Sequence, residues 1–104
     1  MAYEVLLVSV VLGHADYPRP AVVIAAHSSD VFTVLPISTK TQNFRQHSDF
    51  YIRADDADFP ATGLSHDSIV LGSPVFRIRS DQIIKTLGQL RGDLAARFKK
   101  WLGD

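Results

Sequence analysis

The sequence predicts a small, mostly antiparallel β-barrel with one C-terminal helix. Three observations carry this expectation. Short runs rich in Val, Ile and Leu recur along the first three quarters of the chain, each bounded by Gly, Pro, Ser or Asp. The last dozen residues hold the clearest helical stripe, Leu94, Phe98, Trp101 and Leu102, at spacings of four, seven and eight. A length of 104 residues with 46% hydrophobic content suits one core and one domain, residues 1–104.

Residues 4–12 read as a buried strand ended by Gly13. Residues 13–20 read as a loop, because Gly13, Asp16, Pro18 and Pro20 break regular structure. Residues 21–27 and 31–36 are the second and third strands. Ser28-Ser29-Asp30 between them is a tight turn, so the two should pair as a hairpin, and Pro36 should end the regular pairing. Residues 37–47 are polar and aperiodic, which predicts a loop. Residues 49–53 have strand propensity, 54–67 form a long connection with Pro60 and Gly63, and Ser68–Leu71 is a short strand. Gly72-Ser73-Pro74 interrupts it before Val75–Arg79 resumes with apolar and basic residues alternating. Ile83, Ile84, Leu87 and Leu90 are assigned to the core, around Gly88. Asp93 is the expected helix N-cap, Gly103 the stop, and Arg97, Lys99 and Lys100 suit the negative end of the helix dipole.

Lys plus Arg number 11, and so do Asp plus Glu. A neutral chain is not steered as a whole toward nucleic acid, which leaves a local basic site as the open option. Asp55, Asp56 and Asp58 read as a solvated acidic loop. The absence of cysteine excludes a disulfide framework and thiolate metal sites, and suits a reducing compartment. His27, His47 and His66 lack metal-ligand spacing, so no metal and no cofactor are expected. Residues 5–12 are apolar but far short of the roughly 20 residues that cross a bilayer. No cationic segment precedes them and no small-residue cleavage site follows, so the expectation is a cytoplasmic protein without a membrane partner.

Four segments in order carry a resemblance: Arg19-Pro-Ala-Val-Val-Ile24, Leu35-Pro-Ile-Ser-Thr-Lys40, Gly63-Leu64 followed by Asp67-Ser-Ile-Val-Leu71, and Leu87-Gly-Gln-Leu90 before the terminal helix. With these the chain resembles the MazF/PemK (Kid) family of toxins from bacterial toxin–antitoxin modules. The resemblance spans nearly the whole sequence and implies an SH3-like barrel of the MazF/PemK/CcdB type, usually a homodimer. It implies metal-independent, sequence-specific endoribonuclease action on single-stranded RNA through the 2′-OH, and inhibition by a cognate antitoxin protein. The family's arginine falls on Arg19 and its active-site hydroxyl on Ser38, with Thr39 adjacent. Three places depart from the family pattern. Tyr3-Glu4 stands where the first strand usually opens with Gly-Asp, Ser73-Pro74 where an acidic residue and Gln usually follow the fifth strand, and Leu71 where some members have arginine.

The residue types suit that chemistry. A 2′-OH is already tethered beside its phosphorus, so the protein has to stabilise charge on the phosphoryl oxygens and move two protons. Arg19 can bind phosphate in a bidentate way, Ser38 and Thr39 can donate hydrogen bonds, and Lys40 can add a point charge. His14 has the pKa range for proton transfer, and Asp16 could orient it or accept a proton. Arg77 and Arg79 share one face of a strand and form either a phosphate track or a solvated face. Phe44, Phe50 and Tyr51 are candidates for base stacking or for the core. Each polar group also has a plain structural use: Arg19 as a loop brace, Ser38 and Thr39 as turn caps, Lys40 as a solvated cation. The alternative to an enzyme is a catalytically silent or CcdB-like protein-binding toxin on the same barrel, suggested by Ser73, Pro74 and the neutral net charge.

Overall fold

The computed structural model describes residues 3–9 and 18–103. Among these residues seven strands, β1 (Tyr3–Val8), β2 (Arg19–Ala26), β3 (Val31–Ser38), β4 (Phe50–Ile52), β5 (Ser68–Val70), β6 (Phe76–Arg79) and β7 (Ile83–Leu90), precede the helix α1 (Gly92–Leu102). All pairings are antiparallel, in the order β4-β5-β3-β2-β1-β7, with β6 also on β3. The architecture is mostly β with one C-terminal helix, as the sequence predicts. The ladder is barrel-like but not closed, with β4 and β7 at its two ends.

The sheet is apolar on both faces because its strands are two-sided. Val5, Val22, Leu35 and Val70 turn to one side, where Phe50, Ile52, Leu94 and Phe98 complete the main core. Leu6, Ala21, Val23 and Val34 alternate to the other side and pack with Val8 and Ile78. Phe98 contributes the helix's central knob, meeting Tyr3 at 4.9 Å and Phe50 at 5.2 Å between ring centroids, both edge-on. Phe50 is therefore core, while Phe44 and Tyr51 pack edge-on against each other at 5.3 Å.

Several expectations change. β2 begins at Arg19, two residues earlier than expected, because Leu7 and Val8 of β1 pair with Pro20 and Arg19. Residues 10–12, the end of the expected first strand, lie outside the described residues. Pro36 does not end β3. Its carbonyl accepts from the Leu71 amide at 2.9 Å, so its missing N–H faces the same edge, between the stretch paired to β6 (Val31–Val34) and the stretch paired to β5 (Ile37–Ser38). A proline is tolerated there because no ladder donor is needed at that point.

Ile84 is 51% exposed rather than core, since the β1–β7 ladder shifts register there, pairing Leu7 with Lys85 and Val8 with Ile83, and it is Ile83 that packs inward. Asp93 is not the N-cap. Arg91 occupies that position without a side-chain cap, and Asp93 pairs with Arg97 at 2.8 Å one turn on. The cap comes from elsewhere: Asp58 accepts from the Leu94 amide at 3.3 Å, while Asp56 binds Arg97. The acidic cluster is thus partly structural, with only Asp55 left to an exposed pair with Arg53.

Gly88 sits where β7 passes the short 3-10 turn Pro60–Thr62. A methyl group there would collide with the carbonyl oxygen of Ala61 and with the backbone of Thr62. Gly88→Ala should therefore cost about 2 kcal/mol through overpacking, read as a fall of roughly 10 °C in the thermal midpoint, with the helical and strand signals of the folded state otherwise retained.

Candidate functional site

The register of the central hairpin builds the site. Ala21 pairs with Pro36 and Val22 with Leu35. Two residues beyond this last pair stand Arg19 on β2 and Ser38 on β3, held from their other edges by Val8 and Ile69. β2 supplies Arg19 at its first residue and β3 supplies Ser38 at its last, so the rigid part of the sheet holds both at its rim.

A cleft of 420 Å³ opens at this rim, lined by Arg19, Ser38, Lys40, Asn43 and Arg45, with Ile69 and Leu71 as its apolar wall. The Ser38 hydroxyl accepts from the Lys40 amide at 3.1 Å, so its own proton is free to be donated to an anion. Three cations line the cleft and, among the described residues, no carboxylate does. The neutral protein therefore concentrates positive charge locally, which is the arrangement an anionic ligand requires.

Strand alternation separates Ser38 from Thr39. Thr39 lies with Pro20 in a neighbouring cleft of 290 Å³, beside Leu64, His66 and Leu87. Arg77 and Arg79 are elsewhere again. They pair in register with Thr33 and Val31, five and seven residues back from Ser38, or roughly 17 and 23 Å along β3. Arg79 is engaged by Asp81 at 3.3 Å. His14 and Asp16 lie outside the described residues. Of the residues singled out in the sequence, the structure brings together Arg19, Ser38 and Lys40.

Sequence reasoning missed Arg45, which sits in a stretch read only as polar loop. The short 3-10 turn Thr41–Asn43 and the chain reversal after it carry Arg45 to the cleft and fold it back on Asp49. Arg45 Nε and Nη2 donate to the two Asp49 carboxylate oxygens at 3.4 and 3.2 Å, and the Arg45 amide donates at 3.0 Å. Asp49 also accepts from the Gly72 amide at 3.1 Å, tying this segment to the connection after β5. The available signal was the Arg–Asp spacing of four residues ahead of an apolar strand.

Burial pushes the Asp49 carboxyl up, but the Arg45 side chain, the Gly72 and Arg45 amides and the Arg45 charge outweigh it and hold the group below the usual carboxylate range. Among the described residues no group of three or more His, Cys, Asp or Glu side chains could hold a metal ion.

Residues 2–103 match the family of PemK-like, MazF-like toxins of type II toxin–antitoxin systems. The chain belongs to this family. Its members are the toxin halves of toxin–antitoxin pairs, which implies an antitoxin partner for this toxin too. No curated protein matches the chain. No helix among the described residues of the toxin is long and apolar enough to cross a membrane.

Because Asp49 is more acidic folded than unfolded, its contribution to stability is complete above the unfolded value near 4 and is lost as pH falls through the folded value. Asp49→Asn should lower the urea midpoint at pH 7. The gap to the wild type should close as both are titrated to about pH 2, and a gap unchanged at that pH would contradict the assignment.

Proposed function

We propose that this toxin is a metal-independent endoribonuclease that cuts single-stranded RNA at short sequences. The observation that carries the reading is the meeting of Arg19, Ser38 and Lys40 in one cationic cleft at the rim of the sheet. In the reaction the ribose 2′-oxygen forms a bond to the adjacent phosphorus as the bond from phosphorus to the 5′-oxygen breaks. The products are a 2′,3′-cyclic phosphate and a 5′-hydroxyl. One proton leaves the 2′-OH and one reaches the departing 5′-oxygen.

Arg19 binds the two non-bridging oxygens through parallel N–H groups. Ser38 donates its free proton to one of them, and Lys40 adds charge at the cleft mouth. Ile69 and Leu71 add an apolar part to the lining beside these polar groups. His14 and Asp16, in the stretch that leads into Arg19, are assigned to proton transfer by their chemistry. Thr39 belongs to the neighbouring cleft, and Arg77 and Arg79 are too distant to touch the same phosphate.

The competing reading, a catalytically silent or CcdB-like toxin that binds a protein, draws on one observation. The described cleft holds no carboxylate or imidazole that could serve as a base. We further propose that the toxin acts as a homodimer and that its antitoxin covers the RNA cleft. The exposed Val75 and Ile84, at 56% and 51%, support a further apolar interface.

Purified toxin incubated with a long single-stranded RNA in EDTA should leave recurrent ends bearing 2′,3′-cyclic phosphate. Arg19→Ala and Ser38→Ala should each slow cutting by about 100-fold or more. Intact RNA, together with recovery of a defined protein target, would establish the competing reading instead. Light scattering at micromolar concentration should give twice the mass of the 11.5 kDa chain, and a monomeric mass would refute the dimer.

A further inference from the structure

We infer that Arg45 is a second phosphate ligand of the cleft, locked in place by Asp49. The inference rests on the ribonuclease reading for its consequence in catalysis, while the anion site itself stands on the geometry. Arg45 lines the same cleft as Arg19, Ser38 and Lys40. Its guanidinium has five N–H donors. Nε and Nη2 each give one to Asp49, which leaves both hydrogens of Nη1 and one of Nη2 for a ligand.

The pair is unlike two of the other ion pairs, and Arg97, which also meets a mostly buried carboxylate, that of Asp56, does not line the cleft. Arg53–Asp55 and Arg79–Asp81 join two exposed side chains, 68% and 69% exposed in each case, and such pairs fix little. In Arg45–Asp49 the aspartate side chain is 0% exposed and the arginine side chain 55% exposed. Asp49 is held in turn by two backbone amides, those of Arg45 and Gly72. One edge of the arginine is thus anchored to a rigid, buried acceptor while the rest stays open to solvent.

Burying the guanidinium together with its carboxylate would add a second desolvation penalty. An exposed guanidinium held at one edge is instead a preorganised donor, because the ordering of its long side chain is already complete before a ligand arrives. Two arginines entering one cleft, Arg19 from β2 and Arg45 from the loop after β3, can grip different oxygens of one phosphate or two successive phosphates of a strand. Arg45 is thus one of three cations in a lining that also includes the uncharged Leu71.

The test combines anion binding with cleavage. Inorganic phosphate is titrated into isotope-labelled toxin while the arginine Nε–H signals are followed by NMR. The Arg45 signal, protected by Asp49, should shift saturably together with that of Arg19. Arg45→Lys keeps the charge but loses the fork. It should retain the backbone amide spectrum of the wild type, bind phosphate more weakly and cut RNA about 10- to 100-fold more slowly. Asp49→Asn should weaken the phosphate response of Arg45 while that of Arg19 persists.

An Arg45 signal unmoved by phosphate, or Arg45→Lys cutting RNA at the wild-type rate, would overturn the inference. Wild-type toxin that cuts no RNA while phosphate still shifts Arg45 would support the anion site and overturn the ribonuclease reading alone.

Discussion

The fold depends on how one strand shares its edge. β3 gives one edge to β2 and divides the other between β6, along Val31–Val34, and β5, at Ile37–Ser38. Pro36 sits where the two partners meet, with its carbonyl used and its absent N–H not required. A residue with a donor at that point would have to find an acceptor in the gap or leave a buried group unpaired, at a cost of about 1–3 kcal/mol. Because the partners diverge there, the last residues of β3 leave the main plane beside β5. They carry Ser38 and the following Thr39-Lys40 to the rim that Arg19 occupies. Helix α1 then closes the main core through Phe98.

The site is assembled from residues that are each ordinary and become specific by position. Arg19 and Ser38 lie two residues beyond the last β2–β3 pair, each held in a ladder of its own, Arg19 on Val8 and Ser38 on Ile69. Lys40 follows from the turn at Ser38, whose hydroxyl accepts the Lys40 amide. Arg45 is fixed differently, by a buried carboxylate that also ties down Gly72. Part of the cleft lining is thus backbone-determined, and the placement of Arg45 depends on a single side chain, Asp49. That asymmetry explains how a toxin lacking charge at Leu71 still lines its cleft with three cations.

Charge balance within the molecule follows the same division of labour. The chain as a whole is neutral, yet three of its acids, Asp56, Asp58 and Asp93, are spent on the start and first turns of α1, and Asp49 on Arg45. No acid among the described residues borders the cleft. An anionic strand approaching that rim meets a positive surface, although the net charge carries no such message.

Much was legible in the sequence because it rests on local rules. Short apolar runs bounded by Gly, Pro, Ser or Asp marked most strands, Ser28-Ser29-Asp30 marked the hairpin, and the stripe from Leu94 to Leu102 marked the helix. Arg19, Ser38 and Lys40 could be named from ordered motifs. The errors fell where a distant partner decides: Pro36 inside a strand, Ile84 turned outward, Asp58 capping a helix 36 residues away in place of Asp93. No local pattern distinguishes Ser38 from Thr39, since only the strand's facing assigns one hydroxyl to the cationic cleft and the other to its neighbour. By itself the sequence determined which elements form and which residue types could meet a phosphate, because propensity and periodicity act over a few residues. The tertiary structure alone decided which of them share a cleft and which cation is locked there, because register and burial are set by strands and loops far apart in the chain.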